Sequence, residues 1–289
     1  MAEVAAWTTD PRNRDALRIL ERHRGLAVPE PWIDGLTQVQ GDSCAPATRN
    51  SIYVTLRSAV GFMGDPHVAR LCTPQPQDPT FTVTDFITQR GTLYLLGSER
   101  PHSAIAPLLA CLSGHIFEDS KRLAANHPKG RLDPPALFTM DEAALIAPVP
   151  LPQWTSDAGG RGLTIIIAVQ APAQLRTRWG PDGASTIQSN SNVRIVFGGL
   201  TEPDDLNALS TVCGERDEDS VTDNLDKGTR TPRSVTRRRA RTLTPDRLRE
   251  LPRWHVLVLY RTARPIIARI RPVWTRRDVR TARATSTQP

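Results

Sequence analysis

Three short apolar runs, separated by segments long enough to form helices, constrain the fold of this 289-residue chain more than any other feature. The runs are ALFTM at 136–140, LTIIIAVQ at 163–170 and NVRIVFGG at 192–199. Strands that are apolar along their whole length are typical of parallel sheets covered on both faces, and parallel strands need long connections between them. The sequence therefore predicts an α/β fold with a parallel sheet of the nucleotide-binding kind.

Apolar residues recur at helical spacing in the chain before position 130. The predicted elements there are helices over 10–28, 48–63 and 101–127 and a strand over TLYLLG at 92–97. Asp10 and Pro11 supply a cap and a first helical residue for the first helix. Three prolines in TPQPQDPT at 73–80 interrupt regular structure. We therefore predict an all-α helical domain over 1–72 and an α/β domain over 80–215.

Positive charge is concentrated near the carboxyl terminus. Residues 230–283 contain seventeen arginines and three acidic residues, a net charge of +14, whereas the whole chain carries +7. Residues 216–243 have few apolar side chains and change from acidic to basic, which predicts a flexible linker. Residues 244–289 are expected to hold a strand pair at 254–260 and 265–274, followed by a basic tail that trails off disordered.

The arginines of RRRAR at 237–241 and those that follow predict non-specific DNA binding by this basic tail. Clustered arginines contact nucleic-acid phosphates with an affinity that falls as salt rises. Two other interpretations stay open: a solvated tail, or a segment that interacts with the acidic run at 215–226. Aromatic residues are sparse in this region, so base stacking is not supported.

Polar side chains follow two of the predicted strands. Asp141 and Glu142 end the first run, and Gln170 ends the second. The carboxyl ends of parallel strands open onto the crevice where α/β sheets bind ligands. There Asp141 could hold Mg²⁺, Glu142 could polarise an attacking water, and Gln170 could reach that water or a γ-phosphate. The alternatives are that the two acids cap a following helix and that Gln170 merely begins the next one.

The order of motifs over 131–215 resembles the C-terminal ATPase part of the TraG/TraD coupling proteins of type IV secretion, including their TraM recognition domain. The similarity is looser over 80–100. The motifs that carry it are Asp141-Glu142, the LPQW loop at 151–154, Gly160-Arg161-Gly162, Gln170 with Gln174, Trp179-Gly180, Asn190 with Asn192, and Gly198-Gly199.

This resemblance implies part of a RecA-like P-loop ATPase core with a parallel sheet, joined to an N-terminal helical domain. It implies a hexameric, membrane-tethered motor that uses ATP and Mg²⁺ to move DNA or protein substrates. The implied partners are DNA, a relaxosome or TraM-like protein and other type IV secretion components.

The implied catalytic residues are Asp141 and Glu142 of the Walker B pair, with Asp141 as the metal ligand, and Gln170 of the third motif. Arg161 is a fourth candidate, because it lies beside the position of an arginine that reaches a neighbouring subunit's nucleotide. Gly159 is the better match to that position. Leu145 and Ala171 also depart from the family, which often has asparagine and serine there.

The sequence contains no GxxxxGK[ST] motif, the loop that holds the β- and γ-phosphates in P-loop enzymes. The chain is therefore expected to be a truncated or split coupling protein with weak or no ATPase activity alone. The alternative is a non-catalytic module that binds DNA or a relaxosome protein. A third possibility is an unrelated DNA-pumping ATPase of the same fold, for example one acting in chromosome segregation.

Localisation and metal content are predicted from what the sequence lacks. No apolar run approaches the roughly 20 residues of a membrane-spanning helix, and the first residues lack a signal-peptide pattern. We expect a cytoplasmic chain whose full-length relatives are tethered to the inner face of the membrane. The four cysteines have no zinc-ligand spacing, so a zinc site is not expected.

Overall fold

The computed structural model describes residues 2–25, 28–97, 105–222 and 234–286. It divides into two compact units. Unit 1 consists of Met1–Gln170 and Gln174–Gly183, and unit 2 of Ala171–Ala173 and Ala184–Pro289.

The amino-terminal part of unit 1 is helical. Its elements are α1 Ala2–Thr9, α2 Asp15–Arg22, α3 Glu30–Gln40, α4 Pro46–Val60, a 3₁₀ turn at Gly61–Gly64, α5 Pro66–Leu71, α6 Val83–Thr88 and α7 Ala106–Asn126. The helices predicted over 48–63 and 101–127 are present as α4 and α7. Residues 101–104 lie outside the described residues.

The first predicted helix is shorter than expected. The Asp10 carboxylate accepts a hydrogen bond from the backbone N–H of Arg12, and the Asp10 carbonyl accepts one from Asn13. These bonds close a turn of the kind that aspartate favours. Helix α2 therefore begins at Asp15, whose N–H donates to the Asn13 side chain.

Two strands of unit 1 pair in parallel, as the sequence predicted. Strand β1 is Ala136–Met140 and strand β2 is Leu163–Ile167, with Ala136 opposite Leu163 and Met140 opposite Ile167. Helix α8 at Leu151–Asp157 and a 3₁₀ turn at Ala158–Arg161 lie in the connection between them.

The predicted strand at 92–97 is not formed. This segment has no regular structure, and it lines a cavity of about 880 Å³ together with all five residues of β1. Tyr94 and Leu96 are 80% and 85% exposed, so neither packs into a sheet face. The strand prediction at 92–97 is wrong, because within the described residues this segment pairs with no strand and the sheet of unit 1 consists of β1 and β2.

Aromatic side chains join the helices of unit 1 to its sheet. The ring of Phe117 in α7 stacks on the ring of Trp154 in α8, with centroids 3.9 Å apart and planes within 2°. Phe138 of β1 meets both rings edge-on, at centroid distances of 5.5 and 5.9 Å. Because these three residues come from three elements, their contact fixes β1 against the two helices.

Unit 2 contains the predicted third strand, but in a different sheet from the one expected. Strand β3, Val193–Phe197, pairs antiparallel with β6, His255–Tyr260, which pairs antiparallel with β7, Ile266–Arg269. Four of the five residues of β3 are apolar, a pattern that favours a parallel sheet, and Arg194 is the exception. The partner of β3 is the equally apolar run HVLVLY of β6, and the predicted terminal strand pair is confirmed as β6 and β7.

The predicted flexible linker at 216–243 is wrong for most of its described residues. Strand β4, Glu215–Thr222, pairs antiparallel with β5, Ser234–Arg241. Residues 223–233 lie outside the described residues. Apolar burial does not drive this pairing. Opposite charges face each other across the ladder, as in Asp217 opposite Arg239.

The remaining helices are α9 Pro172–Asn190, which spans both units, and α10 Pro203–Val212, α11 Pro245–Arg249 and α12 Arg277–Ser286 in unit 2. Helix α12 replaces the disordered end that the sequence predicted, and residues 287–289 lie outside the described range. The core of unit 2 brings together α10, α11 and β6. Its buried side chains are Leu206, Leu209, Cys213, Leu248 and Leu257.

Candidate functional site

The parallel register of unit 1 brings the carboxyl ends of β1 and β2 to one edge of the sheet. Met140 is the last residue of β1, and its carbonyl accepts the N–H of Ala168, just after β2, at 2.9 Å. Asp141 and Glu142 follow Met140 directly, and Gln170 lies two residues beyond Ala168. The carboxylates and the amide therefore leave neighbouring strands at the same edge.

The backbone at Glu142 turns sharply and does not enter a helix. Its φ of 48° lies in the left-handed region, which costs a non-glycine residue on the order of 1 kcal/mol or more. Its carbonyl accepts the N–H groups of Leu145 and Ile146 at 2.9 and 3.1 Å. The next helix, α8, begins only at Leu151, so the two acids do not cap it.

The Glu142 carboxylate is held by two amides. Gln170 Nε2 donates to Glu142 Oε1 at 2.6 Å, and Gln174 Nε2 lies 3.5 Å from Glu142 Oε2. Gln174 Oε1 in turn accepts the backbone N–H of Gln170 at 2.8 Å. These bonds form a closed ring, in which the first turn of α9 positions Gln174 and Gln174 positions Gln170. The predicted proximity of Glu142 and Gln170 is confirmed.

Asp141 has a different environment. Its side chain is exposed, it lines the cavity beside β1, and it makes no hydrogen bond or ion pair with the described residues. No group of three or more His, Cys, Asp or Glu side chains that could hold a metal occurs in the described parts of the chain. Mg²⁺ is usually bound by one or two carboxylates with water and substrate phosphates completing its shell. The exposed carboxylate of Asp141 is compatible with that pattern as one such ligand.

Arg161 is not brought to this edge of the sheet. It ends the 3₁₀ turn before β2 and therefore lies at the amino end of that strand, about 16 Å of strand length from the carboxylates. Its Nε lies 3.3 Å from Asp157 Oδ1. A hydrogen bond from Lys121, and then one from Arg161, lower the pKa of Asp157.

Trp179 ties α9 to the loop that follows Glu142, a role that was not predicted. Its Nε1 donates to the carbonyl of Val149 at 2.9 Å. The next residue, Gly180, has a φ of 73° and kinks α9 at Pro181, a conformation that favours glycine. The Trp-Gly pair was visible in the sequence as a family motif, but no periodic pattern indicated this hydrogen bond.

Of the arginines predicted to bind DNA, those of RRRAR at 237–241 lie in β5, opposite the acidic strand β4. Asp219 is opposite Arg237, Glu218 is opposite Arg238 and Asp217 is opposite Arg239. Arg237 Nε lies 3.5 Å from Asp219 Oδ1, and both side chains are exposed. This arrangement agrees with the interpretation in which the basic segment interacts with the acidic run.

Within the described residues, no helix is long and apolar enough to cross a membrane.

The central and C-terminal part of the chain matches a known family. Residues 135–253 match the family model described as the TraM recognition site of TraD and TraG, which confirms the resemblance found in the sequence. No curated protein matches the chain.

Solved structures of a bacterial conjugative coupling protein share the fold. The unbound form of TrwBΔN70 superposes with a TM-score of 0.58 at 17% identity, over 93% of this chain and 63% of that one. The sulphate complex of TrwBΔN70 has a TM-score of 0.56 at 17% identity and the same coverage. TrwB in complex with ADP and Mg²⁺ has a TM-score of 0.52 at 16% identity, over 93% of this chain and 62% of that one. The chain thus spans less than two thirds of these relatives.

Proposed function

We propose that this chain acts in bacterial conjugation as part of a coupling protein that selects DNA or protein substrates and moves them into a type IV secretion channel. The observation that carries the proposal is the 2.6 Å contact between Gln170 and Glu142 across the ends of adjacent parallel strands. The family match over 135–253 supports it, because that segment includes both strands and α9. TrwB has been solved with ADP and Mg²⁺, which supports the same chemistry here.

In this proposal the edge of the sheet is the hydrolysis side of a nucleotide site in a RecA-like core. Asp141 would hold Mg²⁺, which would supply positive charge beside the phosphates. Glu142 orients and polarises the attacking water. In the structure Gln170 Nε2 donates a hydrogen bond to Glu142 Oε1. A water that donates to the same oxygen therefore competes with the Gln170 amide. Gln174 keeps Gln170 within reach of the carboxylate.

The proposed nucleotide site also needs a loop that binds the phosphates. The 289 residues contain no GxxxxGK[ST] motif. We propose that a polypeptide carrying such a loop supplies the phosphate-binding half of the site and that ATP hydrolysis requires both parts. In a hexamer, Arg161 would act on a neighbouring subunit's nucleotide, which suits its distance from the carboxylates of its own chain.

The proposed partners follow from the family match. A relaxosome or TraM-like protein is the proposed contact of residues 135–253, with other secretion components and DNA as further partners. The place of action is the cytoplasmic face of the membrane.

A second candidate is a non-catalytic module that recruits a relaxosome protein or DNA. The name of the matched segment favours it, since that segment is described as a recognition site. The two candidates differ in whether Glu142 is required.

The test of a role in conjugation is the transfer frequency of the genetic element that encodes this chain. We expect deletion of the coding sequence to abolish transfer and the unchanged chain, supplied from a second plasmid, to restore it. Transfer that continues at its original frequency after deletion would contradict both candidates.

A further inference from the structure

The hairpin of β4 and β5 carries two opposed sets of charges. On one face, Glu215, Asp217 and Asp219 stand opposite Arg241, Arg239 and Arg237. On the other face, Glu218 stands opposite Arg238 and Arg216 stands opposite Ala240. Directly opposed residues of an antiparallel ladder share one face. The first face is therefore neutral, although β5 alone is strongly basic.

These charge pairs are weak in energetic terms. Arg237 and Asp219 have side chains 79% and 60% exposed at an Nε to Oδ1 distance of 3.5 Å. Exposed ion pairs contribute about 0–1 kcal/mol each and are screened by salt. The acidic strand thus neutralises the arginines without holding them tightly, and a stronger anion can replace it.

One end of β5 is anchored to the core of unit 2. Arg241 Nη1 donates to the Asn207 side chain at 3.2 Å and lies 3.4 Å from Ser210 Oγ. Ser210 is fully buried and donates to the carbonyl of Leu243 at 2.6 Å. Arg237, Arg238 and Arg239 lie beyond this anchor with exposed side chains. The hairpin therefore presents them from a fixed base.

We propose that Arg237 and Arg239, on one face of the hairpin, form a binding site for the phosphate backbone of DNA and that the acidic strand β4 masks this site. Guanidinium groups suit phosphate oxygens, and each phosphate contact releases condensed counterions, which a carboxylate does not. Alternate residues of an antiparallel strand are about 6.8 Å apart and share one face, so Arg237 and Arg239 can contact different phosphates of the same backbone. A two-stranded ribbon also fits the major groove. The choice of DNA over other polyanions rests on the proposed function.

The test compares two variants with the same net charge. In the first, Asp217→Asn, Glu218→Gln and Asp219→Asn remove three acids from β4. In the control, Glu3→Gln, Glu21→Gln and Glu250→Gln remove three exposed acids outside the hairpin. The affinity of each full chain for a fluorescent duplex of about 20 base pairs is measured by fluorescence anisotropy at about 50 and 200 mM salt. Two salt concentrations are needed because the number of phosphate contacts sets how steeply the affinity falls with salt.

We expect the hairpin variant to bind the duplex about tenfold more tightly than the control at low salt. The slope of its log affinity against log salt concentration should be steeper than that of the control by the equivalent of about two phosphate contacts. Adding Arg237→Gln and Arg239→Gln to the hairpin variant should abolish this gain. Equal gains in the hairpin variant and the control would overturn masking. A gain that survives the two arginine changes would overturn the site.

The experiment includes one further variant and one competitor. Asp219→Asn alone disturbs the hairpin least and should still tighten binding about threefold, which covers the case in which the triple variant does not fold. Inorganic polyphosphate is the competitor for the choice of ligand. The proposal expects it to displace the duplex weakly at equal phosphate concentration, and equal competition would overturn the assignment to DNA. None of these outcomes depends on transfer frequency, so this inference and the proposed function fail separately.

Discussion

At the scale of single residues, the candidate site is defined by the hydrogen bonds among Glu142, Gln170 and Gln174. Glu142 adopts a left-handed conformation and receives Gln170, while Gln174 fixes Gln170. The predicted proximity of Glu142 and Gln170 rested on strand ends, and the structure brings these two side chains together because parallel pairing dictates where strand ends meet. Gln174 accepts the backbone N–H of Gln170 because it lies in the first turn of α9. No strand pattern in the sequence predicted this contact.

The hydrogen bond of Trp179 should contribute to stability. Trp179→Phe removes one of the two N–H donors to the carbonyl of Val149, and the backbone N–H of Leu151 remains as the other. We expect the free energy of unfolding to fall by about 1 kcal/mol, because one hydrogen bond is lost without leaving the acceptor unpaired. Chemical denaturation followed by circular dichroism measures this change. Trp32→Phe, at a 63% exposed residue, is the control and should change stability by less than about 0.5 kcal/mol.

Cys213 makes stability depend on pH at the alkaline end. Burial raises the pKa of the Cys213 thiol. The unfolded chain therefore loses this proton at a lower pH than the folded chain, so stability falls as pH rises above about 8.5. We expect Cys213→Ala to reduce the slope of unfolding free energy against pH between about 8.5 and 10. An unchanged slope in this variant would show that the thiol does not carry the effect.

At the scale of elements, the sequence predicted strands better than it predicted their partners. The apolar runs of β1, β2 and β3 were all recognised, but β3 pairs with β6 in an antiparallel sheet. An apolar run predicts a strand but not the direction of the neighbouring strand, nor its burial, since Val193, Ile195 and Phe197 of β3 are largely exposed. Hairpin β4–β5 was missed because charge pairs, which propensity and periodicity do not detect, stand across its ladder.

Strand β6 should carry much of the stability of unit 2. Val256 of β6 is 1% exposed, and Val256→Ala should lower the free energy of unfolding by about 2 kcal/mol through lost burial and a residual cavity. Val212→Ala, at a 61% exposed residue in the same unit, is the matched control and should change stability by less than about 0.5 kcal/mol. Thermal or urea unfolding of the two variants measures the difference. Equal losses would contradict the assignment of β6 to the core.

At the scale of the whole molecule, the proposed catalytic edge lies within the segment that matches the TraM recognition site. The chain spans about 63% of the solved coupling protein that it resembles in fold. The site edge supplies carboxylates and an amide, and the proposed motor needs a phosphate-binding loop from elsewhere. The claim on which this account depends is that Glu142 acts in chemistry, because its contacts alone would also suit a structural role.

The most direct test is the transfer frequency of a deletion strain complemented with Glu142→Gln. The substitution keeps the size of the side chain but removes its negative charge, its ability to act as a base and one of the two oxygens that accept from Gln170 and Gln174. General-base catalysis is typically worth about 10²–10⁴-fold in rate. Glu21→Gln, at an exposed residue of α2, is the matched control and should restore transfer fully. The account predicts a loss of about 100-fold or more for Glu142→Gln at equal protein levels. Full transfer with Glu142→Gln would contradict it and leave the non-catalytic module as the function.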